Sequence, residues 1–278
     1  MTIRFLGPIA QSGARAFDTD VLAWEASVIT NGGSVSLARR IITDQFVFSE
    51  KSNGLWNLTD DYWVFWGENA PQALTSLKQR RLATAVNAPT FTADRDYTTD
   101  GITSYVDTNF IPSTHATLAS ANDLHFSNYI RDTGAVSTTA HSSGASAASS
   151  RALRIRPRTS ALRASLEILT GNTPSDYTLT VATSAGYLSG GRDAASAANY
   201  YNYKNGVALV VNNAPIAFGA TLTNVSIFVG GYNAAGDLTG PRATSMGFMS
   251  FGRCLTAGQE ATRYTNVQTF ATSVGAQV

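Results

Sequence analysis

Cysteine, charge and long apolar runs are all scarce in this chain. Cys254 is the single cysteine in 278 residues, which excludes an internal disulfide framework and a cysteine-rich zinc site. Charged residues make up 14% and the formal net charge is +1, so no global field recruits nucleic acid or an anionic membrane, and neither is expected as a partner. No segment approaches the ~20 consecutive apolar residues of a membrane span. The start, MTIRFLGPIAQSG, has one basic residue and too short an apolar run for a signal peptide, so synthesis in a cytoplasm is expected. His115, His125 and His141 stand neither at metal-ligand spacings nor beside a carboxylate cluster; they are expected to be polar surface residues, with no metal and no cofactor. No G-x-S-x-G elbow, Walker loop or dinucleotide fingerprint is present. The glutamates (Glu25, Glu50, Glu68, Glu167, Glu260) never pair at two-residue spacing with another acid, which argues against a sandwich glycosidase that carries two carboxylates on one strand. A non-enzyme is expected.

What is present is 44% hydrophobic residue, with Ser, Thr, Ala, Asn and Gly in place of the missing charge, a composition suited to sheet surfaces and turns. The stretch Ala88–Ser113 divides the chain. Before it, apolar spacing predicts a helix over 18–30, capped by Asp18 or Thr19 and stopped by Asn31-Gly32-Gly33. A second helix is predicted from Ser34 or Ser36 to Asn53, with Leu37, Ile41, Phe46 and Phe48 as its apolar positions, and a short one over 71–81. Trp56, Tyr62, Trp63 and Trp66 cluster between them; rings stack on sugars, but a small helical subdomain also needs bulky residues to fill its core. After the stretch the period becomes two. Asp123–Arg131 reads as a half-buried strand with Leu124, Phe126 and Ile130 inward, and Leu153–Arg158 alternates likewise. Residues 141–150 read as a low-complexity loop. Asn205-Gly206 predicts a tight hairpin, 225–232 and 244–252 further strands, and Thr256 with Gln259 a capping box that opens a C-terminal helix with Ala261, Tyr264, Val267 and Phe270 or Ala271 inward. Strands without alternating helices imply an antiparallel jelly-roll β-sandwich, mainly β with a helical N-terminal part. The expected division is 1–87, a helical attachment or assembly subdomain, and 88–278, the sandwich, joined by a linker over 82–89.

Arg151, Arg154, Arg156, Arg158 and Arg163 form the one concentration of charge. Arg154, Arg156 and Arg158 would project from one strand face, either towards an anionic partner or simply into solvent, where charge discourages edge pairing. They are candidate ligand-binding residues together with Tyr201, Tyr203 and Tyr232. Trp24, Trp56, Trp63 and Trp66 are candidates for assembly contacts.

Several stretches in order carry a family resemblance: Trp24 with Asn31–Ser36, Gly54–Leu58, Ala88–Thr108, Tyr203–Gly206, Gly230–Asn233 and Leu255–Gln259. Together they resemble phage virion structural proteins, of the tail, head-fibre or decoration type, with a concanavalin A-like (laminin G-like) jelly roll. The resemblance implies a non-enzymatic virion protein whose partners are other virion proteins and sister subunits in a homo-oligomer. It leaves open, as the alternative, a carbohydrate-binding adhesin that recognises host surface glycan. No catalytic or ligand residue is carried over.

Overall fold

The computed structural model describes residues 15–133, 139–148, 152–158, 163–168, 175–193, 196–212 and 221–278. The strand Leu124–Ile130 sets the architecture. Leu124, Phe126 and Ile130 face one apolar core, while Tyr129, from the opposite face, enters a second one. The strand is therefore buried on both sides, not half-buried as its alternation predicts. The reason is a third layer: helices cover the face that the polar residues occupy.

The first sheet runs in the order β13 (Val207–Asn212), β12 (Ser196–Lys204), β11 (Gly186–Asp193), β6 (Leu124–Ile130), β17 (Ser245–Gly252), β4 (Asp96–Thr98) and β3 (Thr90–Thr92), with β1 (Thr59–Val64) also on β17. The second runs β10 (Ser175–Thr180), β9 (Arg163–Ile168), β8 (Leu153–Arg156), β7 (Ser143–Ser146), β14 (Phe228–Val229), β5 (Tyr105–Asp107) and β2 (Thr84–Val86), with β15 (Tyr232–Ala234) and β16 (Asp237–Thr239) at its side. Pairing is antiparallel except for β15 on β7. Phe126, Leu188 and Met249 of the first sheet meet Leu153, Leu166 and Val106 of the second in the inter-sheet core. This is the expected mainly-β sandwich with N-terminal helices and a C-terminal helix.

Helices α1 (Thr19–Thr30), α2 (Leu37–Ser52) and α5 (Ala257–Ser273) lie on the outer face of the first sheet, where Val21, Trp24, Phe46, Val267 and Phe270 pack on Tyr129, Tyr187 and Phe248. Short helices α3 (Ala70–Leu74) and α4 (Pro112–His115) complete the connections. The caps are the expected ones: Asp18 on α1, Ser36 on α2, and a full Thr256–Gln259 capping box on α5. The buried faces are not. In α2 the inward residues are Arg39, Thr43, Phe46, Val47 and Glu50, whereas Leu37, Ile41 and Phe48 are exposed. In α5 Glu260 and Arg263 point inward beside Val267 and Phe270, and Ala261 is exposed.

Other expectations change for similar reasons. Residues 59–64 and 84–86 precede position 88 yet pair with β17 and β5, so the division expected at 87/88 and the linker expected over 82–89 fall within the paired strands of the sandwich. Part of the stretch expected to be a loop, Ser143–Ser146, is a strand between β8 and β14. The hairpin holds, with Asn205 and Gly206 both in the left-handed region at φ 50° and 74°. Where β17 crosses under the helices a register shift lies between Met246 and Phe248; a Cβ at Gly247 would stand 2.2 Å from the Trp66 indole nitrogen.

Candidate functional site

The six ligand-binding candidates separate onto the two sheets. On β8, Arg154 and Arg156 both contact Glu167, which lies directly across on β9, and the Arg154 guanidinium sits 4.6 Å from the centre of the Tyr232 ring. These arginines thus meet their anion inside the chain, in a cross-strand pair that Glu167's place in the sequence does not reveal. Arg158 follows β8 and is half-buried. Arg151 and the side chain of Arg163 lie outside the described residues.

Tyr201 and Tyr203 share the helix-side face of β12 and floor an open cleft of about 550 Å³. Ala208 of β13 continues the floor. The walls are Asp193 at the end of β11, Asp123 ahead of β6, and the segment Arg253–Ala257 that leads into α5. The cleft exists because α5 starts at Ala257 and leaves the outer strands uncovered beyond its first turn. Gly191 stands opposite Tyr201, and a Cβ there would come within 3.0 Å of the Cys254 sulfur, so glycine gives that thiol its place.

The wall is held by three anchors. Asp123 accepts hydrogen bonds from Arg253 Nε at 2.7 Å and from the Cys254 amide at 2.9 Å. The ring of His125 meets the Arg253 carbonyl through Nδ1 and Ser250 Oγ through Nε2 at 3.1 Å. A carbonyl only accepts, so Nδ1 carries the proton and Nε2 accepts from the hydroxyl. The third anchor is α5 itself. Burial, reinforced by the Arg263 charge, pushes His125 down to about 3, so the ring is uncharged. His125 and His141 are both buried, which corrects their expected surface placement; in each case a further layer covers the polar face of the strand or turn.

Beneath the wall lies a buried polar network. Arg263 Nε is 2.8 Å from Glu50 Oε2, with both side chains fully buried. Arg263 also donates to Ser250 Oγ at 3.0 Å and Thr59 Oγ1 at 2.7 Å, while Tyr62 and Asn266 donate to Glu50 at 2.8 Å each. Glu260, one turn before Arg263, accepts from Ser189 Oγ at 2.6 Å and from the Tyr187 hydroxyl at 3.4 Å. Desolvation raises its carboxyl to about 7. Burial also raises the Cys254 thiol, with the nearby acids adding to the effect, so the thiolate needed for nucleophilic chemistry is disfavoured.

The four tryptophans offered as assembly contacts are interior: Trp63 and Trp66 are fully buried, and Trp24 and Trp56 nearly so. Trp24 donates to the Thr75 carbonyl at 3.1 Å, and Trp56 stacks on Tyr62 at 5.3 Å. Trp24, Trp56 and Trp66 dock the helices on the first sheet, and Trp63 packs between the sheets against Phe110, so all four rings are used within one chain. Among the described residues no group of three or more His, Cys, Asp and Glu is placed to hold a metal ion, and no helix is long and apolar enough to cross a membrane.

No protein-family model matches the sequence, and no curated protein matches it. Solved structures do match in fold. One is the sialidase of Trypanosoma rangeli in complex with 2-keto-3-deoxy-D-glycero-D-galacto-2,3-difluoro-nononic acid, at 12% identity and TM-score 0.50, covering 81% of this chain and 39% of that one. Another is domain 4 of AbnA, an extracellular arabinanase from Geobacillus stearothermophilus, in complex with arabinotriose, at 12% identity and TM-score 0.49, covering 74% and 98%. A third is the CBM40 of the Ruminococcus gnavus IT-sialidase bound to α2,3-sialyllactose, at 14% identity and TM-score 0.41, covering 52% and 83%. The chain spans well under half the length of the trypanosomal sialidase it matches. At these identities the likeness is one of fold, and the chain is a jelly-roll-like β-sandwich.

Proposed function

We propose that this chain is a carbohydrate-binding β-sandwich that recognises a glycan without cleaving it. The observation that carries this is the cleft: two tyrosines on one strand face floor an open volume of about 550 Å³ ringed by Asp123, Asp193 and Arg253. The face of a sugar ring presents C–H groups that stack on aromatic rings, and its hydroxyls bond to carboxylate and guanidinium groups. The volume lies within the range of small-molecule sites. Two of the structural neighbours were solved with saccharides, arabinotriose and sialyllactose; they bear on fold, and the case for a saccharide here rests on the cleft. Supporting recognition over cleavage are Asp123, whose two oxygens are engaged by Arg253 and the Cys254 amide, and the disfavoured Cys254 thiolate.

A glycan array with the full chain is expected to show a saccharide ligand. Tyr201→Ala should then weaken its binding by roughly 1 to 3 kcal/mol, the scale of a buried aromatic contact. An array without any hit overturns glycan binding, and release of reducing ends from the bound saccharide overturns the non-enzyme part. The virion setting rests on the sequence resemblance alone, and antibody against the chain should label particles; bare particles overturn it. Self-association has its physical basis in the exposed Leu37, Ile41 and Phe48 of α2. Light scattering that gives a monomer mass overturns it.

A further inference from the structure

The buried network under the cleft wall holds two carboxylates and one guanidinium. Glu50 is fully matched: Arg263 lies against one oxygen, and Tyr62 and Asn266 donate to the pair. Among the described residues Glu260 has no cation in contact and two hydroxyl partners, Ser189 and Tyr187, in a site with 1% exposure. A buried carboxylate with so little compensation is costly, so burial favours the protonated form, in which the carboxyl O–H donates to one of these two hydroxyl oxygens and the other hydroxyl donates to the carboxyl.

The groups that face Glu260 come from every element around it. Arg263 on its own helix, Tyr187 and Ser189 on β11, Tyr203 on β12 and Cys254 in the wall interact with it directly, while Glu50 on α2, Tyr62 on β1, His125 on β6 and Ser250 on β17 reach it through Arg263. Arg263 is the one positive charge among them, and Glu50 already occupies it. Glu260 lies four residues after Thr256, whose carbonyl accepts from the Glu260 amide at 2.8 Å. The first turn of α5 therefore carries both the carboxyl and the end of the cleft wall.

We propose that Glu260, in its uncharged form, is a latch that keeps the Arg253–Ala257 wall seated on the first sheet, and that the wall loosens as the solution turns alkaline and the carboxyl ionises. That the cleft so controlled takes a saccharide rests on the function proposed above; the test needs no saccharide, so the two fail separately. The proton balance is simple: seating the wall retains one proton on the Glu260 carboxyl, and releasing the wall gives that proton to solvent.

Two measurements on the full chain decide it. Carboxyl carbon NMR of glutamate-labelled protein should show one glutamate titrating near 7, a resonance that Glu260→Gln removes. If every glutamate titrates near the ordinary value of about 4.3, the latch is refuted without any need for a variant to fold. Amide exchange over residues 256–263, corrected for intrinsic rates, then compares opening in wild type and Glu260→Gln. The wild-type opening constant divided by that of the variant should rise about fortyfold between pH 5 and pH 7, because His125 contributes to both forms alike and cancels. A ratio independent of pH overturns the proposal.

Discussion

The two buried layers of this molecule are built on opposite principles. Between the sheets the contacts are mostly apolar: Phe126, Leu188, Met249, Leu153 and Leu166 interdigitate, with Asn128 Nδ2 donating to Ser142 and Ser143. Between the first sheet and the helices, apolar packing around Trp66 and Phe248 adjoins the buried Arg39 and Arg263, the buried Glu25, Glu50 and Glu260, a neutral histidine and a line of hydroxyls. The first layer holds little charge because its two faces are strand faces filled by alternation; Arg192, fully buried there, donates from Nε to the Ile168 carbonyl of the facing sheet. In the second, charged side chains on the helices reach hydroxyls on the strands, and every charge must find its partner there.

Three experiments would break or sharpen this contrast. The largest effect is expected at Arg263. Arg263→Met removes the one cation from Glu50 and should destabilise by about 3–5 kcal/mol in urea unfolding. Phe126→Ala in the other layer should cost a similar 3–5 kcal/mol through cavity formation. The contrast lies in repair: adding Glu50→Gln to Arg263→Met should recover much of the loss. If it recovers nothing, the network is not an electrostatic unit.

The second test is the pH profile of stability. Glu260 is raised to about 7 in the folded chain, so its contribution is fully present below its ordinary range and is lost as pH rises towards 7. Asp61, raised to about 6 by burial, acts in the same direction. His125 is depressed to about 3, so its contribution is full at neutral pH and is lost as pH falls below its ordinary value towards 3. Glu260→Gln should raise stability by only about 1 kcal/mol at pH 5 and by roughly 3 to 4 kcal/mol at pH 8. Phe126→Ala should lower the whole curve and leave its shape alone. A variant curve parallel to wild type for Glu260→Gln would erase the distinction between the layers.

The smallest effect belongs to the hairpin that touches both the sheet and α5. Asn205 sits at φ 50°, its side chain accepts from the Tyr187 amide at 2.9 Å, and Gly206 lies against Ala261 and Tyr264. Asn205→Ala should lose about 1 kcal/mol, through the left-handed backbone that alanine disfavours. Thermal unfolding checks it, and an unchanged midpoint would show that the turn is not under this constraint.

The inter-sheet layer was legible in the sequence because period-two alternation reports one face of a strand: Leu124, Phe126, Ile130, Leu153 and Ile155 were all placed correctly. The helix layer was not. Leu37, Ile41 and Phe48 look inward by hydropathy, but the register of α2 was fixed by Phe46, Val47 and the polar contacts of Arg39 and Glu50. Glu260 and Arg263 were invisible for the same reason: pattern reading assigns charge to solvent, and only the partner on another element shows otherwise. Of the candidate site, Tyr201 and Tyr203 were found through the hairpin they precede. Asp123, Asp193 and Arg253 do not show as a set, since the fold assembles them from positions 60 and more residues apart.

Cys254 has a practical consequence. It is the chain's one thiol, it lines the cleft, and it sits half-buried within the wall that Glu260 is proposed to hold. The protein therefore carries its own chemical clock. The rate at which a maleimide modifies that single sulfur times the motion of the wall, and a bound saccharide should slow the clock without any label having been engineered in.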